Sequence, residues 1–553
     1  MKHKGLKLGM TGLLAAIMLA VTACSGQESG GKKEETTPPS GNQLEEKAKD
    51  PLGKFDPPIE LTAARDIGGK KFRDGESISN NVWSRLYEEA LGVKIKYLWT
   101  TSGGYDQKLN VSIASGALPD MFPVNSSQLK QLIDSGQIED LTKVYEQYAS
   151  DTTKQIMGED PDQLKSATFK GKLMAIPVVG SPSDTSQVLW IRQDWLDKLG
   201  LPGPKTMQDV EAIAKAFVTQ DPDGNQKNDT FGISVGQSLD QGNIGSLRGF
   251  FNGYHAYPKL WYKDASGKFV YGSVQPEIKN ALAKLREMFK EGLIDKEFVV
   301  KPIDKINEQL VGGKVGIEYG AWWNPAYPLQ SGIDQNPEAR WVSYGIPSAD
   351  STPAKITFDF PASQYIVIKK GTKHPEAAVK MLNLMVKKAY EERDIENYFI
   401  AKDGFEYNGY PLLYASKVDG NLDIHLNLTQ ALEKKDPSSL NAEEASYYDR
   451  ILAYRNGDLK QWYEEGMHGK SSAWPSVKEK IDKGLVQKPG FFGAPTDTMA
   501  QKGGVLTKLE LETFSKIIMG EVSLDEFDKF VENWHKLGGD QIASEIEAWY
   551  SNL

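Results

Sequence analysis

One cysteine, Cys24, stands in 553 residues, and it constrains the fold more than any motif does. With no second thiol there is no internal disulfide and no cysteine-built zinc site, so cohesion must come from buried apolar surface. The length exceeds what one hydrophobic core supports and implies at least two domains. Hydrophobic residues make up 39% of the chain and charged residues 25%, which suits a soluble globular protein. The six histidines (His3, His255, His374, His425, His468 and His535) are too scattered for an HExxH-type ligand pair. A formal charge of -10 argues against a nucleic-acid partner, because a phosphate backbone calls for a basic surface.

The place of that cysteine is informative. Lys2, Lys4 and Lys7 precede an apolar run from Leu8 to Val21, and Val21-Thr22-Ala23-Cys24 closes it. The run is too short and too rich in Ala and Gly for a membrane span; its layout is that of an export signal. "VTAC" resembles the bacterial lipobox, in which the cysteine is lipidated and cleavage falls just before it. Residues 1–23 are then a lipoprotein signal peptide, and Cys24 carries the lipid anchor; the other reading is a signal anchor with an incidental cysteine. Residues 24–54 are polar, rich in Gly, Ser, Pro and charge, and without apolar periodicity, so they read as a flexible tether. The expected location is the extracellular face of the cell membrane.

From Phe55 onward strands and helices alternate. "VKIKYLWT" (93–100) reads as a strand behind a helix that ends at Gly92, and "VLWIRQDWLDKLGL" (188–201) as strand into helix. "PEIKNALAKLREMFKEGLI" is an amphipathic helix with Ala281, Leu285, Met288 and Phe289 inward. "GGKVGIEYGAWW" is a glycine-led strand entering an aromatic loop, and the C-terminal third is mostly helical. The fold class is α/β.

"ASGALPDMF", "GQIEDLT", "GKLMAIP", "LWIRQDWLDKLGLPGPKTMQDVEAIAKAF", "DPDGNQKNDTFG", "PEIKNALAKLREMFKEGLIDKEF", "GGKVGIEYGAWW" and "LGGDQIASEIEAWY" occur in that order. Together they resemble the family 1 extracellular solute-binding lipoproteins of bacterial ABC importers, in particular the large LplA-like type of Bacillus and Paenibacillus, related to alginate-binding proteins. The resemblance implies a two-lobed, type II periplasmic-binding-protein-like fold with an inter-lobe cleft and a helix-rich C-terminal part. It places the N-lobe at 55–178 and 305–345 and the C-lobe at 179–304 and 346–553. It implies a monomeric binding protein that captures an oligosaccharide or other carbohydrate and delivers it to the transmembrane subunits of an ABC permease. The alternatives are a cell-attached glycoside hydrolase and the solute-binding component of a membrane sensor.

"DPDGNQKNDTFG" holds Asp221, Asp223, Asn225, Lys227 (through its carbonyl) and Asp229 at positions 1, 3, 5, 7 and 9, as in the start of an EF-hand loop. It departs from that loop in placing glycine at position 4 and Gly232 at position 12, where a bidentate glutamate belongs. The resembling proteins carry calcium here, often with an acid at position 10, which in this chain is Thr230. Hard oxygen ligands favour a structural Ca2+ over zinc; the competing reading is an Asx-rich turn.

Sugars stack on aromatic faces while their hydroxyls pair with polar groups. Trp322 and Trp323 follow a strand, and neighbouring side chains there diverge, so at least one is expected in the cleft. Trp83 beside Asn81, Trp99 at a strand end, Trp261, Trp474 and the inter-lobe Asp359 complete the ligand candidates. Trp195, Trp534 and Trp549 sit at apolar helical positions and read as core. No GxSxG elbow is present, and "GKS" at Gly469 lacks the earlier glycine of a phosphate loop. The chain therefore reads as a binding protein and not an enzyme.

Overall fold

Among the described residues nine strands build the two large sheets, beside three two-stranded ribbons, and each large sheet has its own apolar core. The structure, a computed structural model, describes residues 50–240, 242–362, 364–551 and 553. The signal peptide at 1–23, Cys24 and the tether up to residue 49 lie outside the described residues. In chain order the strands are β1 (Ile59–Asp66), β2 (Val93–Thr101), β3 (Met121–Val124), β4 (Ile176–Pro177), β5 (Gln187–Arg192), β6 (Phe231–Ile233), β7 (Val315–Ala321), β8 (Trp341–Tyr344) and β9 (Tyr365–Ile368).

The first sheet runs β2-β1-β3-β9-β4, with β1 parallel to β2 and β3, and β9 antiparallel to β3 and β4. Its core joins residues 61–179 to residues 365–415. The second sheet runs β8-β5-β7-β6, with β7 antiparallel to β5 and parallel to β6. Its core spans residues 188–358 and 422–546. Every residue of β5 and β7 is buried, as expected of central strands covered on both faces. Gly316 is the reason the helix Met207–Thr219 can lie against β7: a Cβ at that position would stand 2.2 Å from the Phe217 ring.

The helices follow the apolar spacing. Pro276–Lys290 buries Ile278, Ala281, Leu282, Leu285 and Met288, while Phe289 packs half-buried on the second core. Glu526–Trp534 buries Phe527, Phe530 and Trp534. The chain then bends at Gly538, whose φ of 144° is closed to other residues, and a Cβ on Gly539 would meet the Trp534 ring at 2.1 Å. Trp195 is buried; Trp549 is half-buried, edge-on to Phe491 and Phe492. No helix among the described residues is long and apolar enough to cross a membrane.

Two expected boundaries are corrected. Residues 305–345 were assigned to the first lobe, yet β7 and β8 both bond to β5 in the second sheet. The return to the first lobe is made instead by residues 365–415, because β9 bonds between β3 and β4. The tether also ends sooner than Lys54. Asn383 Nδ2 donates to the Pro51 carbonyl at 2.9 Å, Lys380 Nζ donates to the Gly53 carbonyl at 2.8 Å, and Leu52 packs on the first core.

Candidate functional site

Three segments carry the chain between the cores, at 179–188, 358–365 and 415–422. They are tied together laterally. Ser416 N donates to Val179 O (3.2 Å), Val178 N to Gln364 O (2.9 Å), Ser181 Oγ to Val418 O (2.5 Å), Asp359 N to Thr185 Oγ1 (2.7 Å) and Asn421 Nδ2 to Asp184 Oδ2 (2.7 Å). Short crossings of this kind let two lobes rock about them while each core stays intact.

A cavity of about 250 Å3 lies against these crossings. The first lobe lines it with Tyr390, Arg393, Asn408 and Tyr414, the first crossing with Ser181 and Asp184, the third crossing with Asn421, and the second lobe with Asp423, Asn427 and Glu443. Asn408 also lines a cavity of about 570 Å3 that reaches Gly68 and Lys70, just beyond the C-terminal end of β1. That end is where open α/β sheets hold ligands. There Asp66 accepts from Gly68 N, Gly103 N and Thr101 Oγ1, and these bonds keep its carboxyl below the usual range.

Asp184 is the centre of the smaller cavity. One oxygen accepts from Asn421; the other, Oδ1, is sealed from solvent and lacks a hydrogen bond of good geometry, with the Ser181 hydroxyl acting weakly on the same carboxyl. Burial pushes its carboxyl up to about 6. Glu443, raised by the same cause, accepts from Tyr447 Oη at 2.8 Å. The Tyr447 ring stacks on His468, with centroids 4.9 Å apart and planes at 9°. His468 Nδ1 lies 2.6 Å from Glu464 Oε1, and its Nε2 is unpartnered. Trp322 packs against His468 at 5.5 Å and Trp474 at 5.4 Å, and neither indole N–H has an acceptor. These rings lie behind Glu443 and do not line the cavity; the lining itself, of carboxylates, amides and hydroxyls, suits a polyhydroxylated ligand. A larger cavity of about 980 Å3 also touches the crossings, at Pro182 and Val418. Some of its charges are engaged, since Lys165 bonds Asp162 at 2.9 Å and the Lys263 ammonium sits 3.4 Å from the Tyr550 ring centroid, while Asp419 and Lys488 on its wall form no ion pair among the described residues.

The aromatic candidates divide. Trp322 and Trp323 are both half-buried at the end of β7. Asn324 makes that corner, accepting from Ala321 N at 2.7 Å and donating to Asn243 O at 3.1 Å. Trp474 is fully buried and belongs to the second core. Trp99 is half-buried beside Tyr105, with the Lys108 ammonium over its face at 4.8 Å. Trp83 and Asn81 are corrections. Trp83 is 1% exposed, edge-on to Phe399, with its indole N–H on Tyr398 O at 2.7 Å. Asn81 caps the helix Val82–Leu86 in a reciprocal pair with Ser84. Their work is in the first core. Trp261 stacks with Tyr271 and Trp534 on the second core and lines none of these cavities. Asp359 is on the second crossing, with its carboxylate paired to Arg248 at 2.6 Å.

The family model for bacterial extracellular solute-binding proteins matches residues 69–392. The chain belongs to that family. Lipoprotein LipO of Bacillus subtilis is 26% identical over 478 residues, covering 85% of this chain and 88% of LipO. The polygalacturonan/rhamnogalacturonan-binding protein YtcQ of the same organism is 24% identical over 467 residues, covering 83% and 86%. The alginate-binding protein AlgQ2, solved without calcium ion, shares the fold with a TM-score of 0.61 at 17% identity, over 90% of this chain and 99% of its own. The two lobes are thus those of the solute-binding fold.

In this solute-binding protein the loop at 221–229 gathers carboxylates. Asp223 Oδ2 and Asp229 Oδ1 both face the Asn225 amide, at 2.7 and 3.0 Å, and Asp221 accepts from the backbone N–H of Asn225 and Gln226. Turning the Asn225 amide over would present its oxygen to the same point. Asp221, Asp223, Asn225 and Asp229 thus carry hard oxygens of the kind a calcium ion takes, on one short loop. Thr230 is a correction: its buried hydroxyl donates to Phe217 O at 2.8 Å. Two ammonium groups already stand at the loop. Lys314 Nζ is 2.5 Å from Asp229 Oδ2 and 3.7 Å from Asp223 Oδ2, and Lys198 Nζ donates to Pro222 O at 2.8 Å. No group of three His, Cys, Asp or Glu arranged to hold a metal is found among the described residues.

Asp184, Asn421, Glu443 and His468 were not among the expected site residues. Only the position of Asp184, in a Ser-Pro-Ser-Asp punctuation between two apolar strands, signals a crossing. The others lie more than 200 residues further along, on helices without a distinguishing pattern.

Proposed function

We propose that this solute-binding protein captures an oligosaccharide between its two lobes and delivers it to an ABC permease, held at the extracellular face of the membrane by lipid on Cys24. The observation that carries the reading is the cavity at the three crossings, where both lobes contribute polar side chains and Asp184 Oδ1 lacks a hydrogen bond of good geometry. Closure around a sugar supplies hydroxyls to such groups and excludes water, which strengthens each bond. Catalysis is no part of the proposal: capture and release suffice for delivery.

The purified protein, incubated with a panel of oligosaccharides, should bind one class stoichiometrically and return it unchanged. Appearance of hydrolysis products would sink the reading, as would the absence of binding across the panel. For the anchor, Cys24→Ala should release the protein from cells into the medium; retention on the membrane would refute lipidation at that residue.

We also infer that the loop of Asp221, Asp223, Asn225, Lys227 and Asp229 binds structural calcium, supported by its converging oxygens. Binding requires Lys314 to swing off Asp229.

A further inference from the structure

Resting on that reading, we propose that the cleft selects an uncharged oligosaccharide and discriminates against uronates, through Asp184 and the carboxylates that share its cavity. The lining holds four acids, Asp184, Asp423, Glu443 and Glu444, against two bases, Arg393 and Lys417.

The acids are not neutralised by ion pairs. Glu444 accepts from Asn427 Nδ2 and Asn441 N, Glu443 from Tyr447, and Asp184 from Asn421, all uncharged donors. Burial holds the carboxyl of Asp423 above its usual range, opposed by the Lys417 charge and by no hydrogen bond among the described residues. Of the two bases only Lys417 acts on an acid of the lining, Asp423, and it does so without an ion pair. Arg393 is solvent-exposed, and the Lys417 ammonium lies 5.7 Å over the Tyr390 ring. A ligand carboxylate entering here would lose its hydration, meet like charge, and give nothing to Asp184 Oδ1, which can only accept. A hydroxyl does the opposite. It donates to a carboxylate oxygen of the wall, Oδ1 of Asp184 once a turn of that side chain brings the atom to the cavity, and accepts from an amide such as Asn408, so it completes the lining without importing charge. Rejection of an ionic competitor by an unpaired buried carboxylate is specificity by repulsion.

One relative, YtcQ, is named for acidic polysaccharides, so likeness to it would point the other way. The test is a thermal-shift and calorimetric comparison on the protein without its signal peptide. The probes are neutral oligomers (fructo-, xylo-, gluco-, manno- and galacto-oligosaccharides), oligogalacturonates, alginate oligosaccharides and a chitosan oligosaccharide. The expected result is stabilisation by a neutral oligomer, with every uronate probe bound at least about 10-fold more weakly. Equal or tighter binding of a uronate overturns the proposal while leaving carbohydrate capture standing. The cationic chitosan probe reads the sign of the lining: binding weaker than that of the uronates would refute repulsion by its carboxylates. No stabilisation by any probe overturns carbohydrate capture itself. Asp184→Ala should cut neutral-oligomer affinity by about 10-fold, with the melting temperature of the ligand-free protein and its circular dichroism reporting that it still folds. Asp184→Asn should narrow the gap between neutral and uronate probes; an unchanged gap would refute the role given to its charge.

Discussion

Asn421 Nδ2 donates to Asp184 Oδ2 at 2.7 Å, and this bond joins the third crossing between the lobes to the first. It orients the carboxylate so that Oδ1 is left for another donor. Asn421→Ala removes it. A hydrogen bond to a charged acceptor contributes about 1.5–3 kcal/mol. The expected outcome is a loss of affinity of about 10-fold in calorimetry, with a smaller loss of stability, because Asn421 is only half-buried. Unchanged affinity would mean that Asp184 is held by other means.

Trp474 should matter more to stability than Trp322. Trp474 is fully buried in the second core, while Trp322 is half-buried against it. Trp474→Ala should cost about 3–5 kcal/mol in urea unfolding, the usual range for removing a buried large aromatic. Trp322→Ala should cost less. The reverse ranking would contradict the packing described.

Glu318 makes stability fall with pH. It is fully buried in β7, its Oε1 accepts from Gly245 N at 2.9 Å, and burial pushes its carboxyl up to about 8. An unfolded glutamate releases its proton near pH 4.3, roughly. Between those two values the unfolded state has lost the proton that the folded state keeps. Stability from this group is therefore complete below the lower value and declines as pH rises toward the upper one. Glu318→Gln keeps an acceptor for Gly245 and does not titrate. Urea unfolding at pH 5 and pH 8 should show a smaller drop for the variant than for the natural protein; equal drops would refute the assignment.

The calcium proposed for the loop at 221–229 would compete with Lys314 for one place. With Lys314 on Asp229, chelation by EGTA should lower the melting temperature by only a few degrees, because the ammonium takes over part of the ion's charge. Lys314→Met should make the loss on chelation larger and calcium affinity higher. No response to EGTA in either protein would refute calcium binding at this loop.

The elements themselves were readable in the sequence because their signals are local. β2, the strand-to-helix passage after Val188 and the helix at 276–290 stand where alternation, Gly92 and Pro276 put them. Lobe membership was not readable in this way: whether β7 bonds to β3 or to β5 depends on partners more than 100 residues distant. The same holds for the site. Trp322 could be picked out from its neighbour and its strand, whereas Asp184 gains its character from Asn421, 237 residues on. Asn81 and Trp83 misled for a related reason, since a polar residue next to an aromatic one at a helix start is also the recipe for a cap over a core.

The strand order of the first sheet has a consequence for how the chain matures. β9 lies between β3 and β4, so β4 has no neighbour in that sheet until Ile366 and Tyr365 arrive to bond with it. A chain emerging N-terminus first must therefore leave its leading lobe unfinished while the strands of the second sheet, β5 to β8, pass by and close on themselves. The earliest residues to appear are among the last to be secured. Contacts of such long sequence separation slow assembly, and for this protein the exposed edge of β3 is the surface that a folding helper would have to guard in the interval.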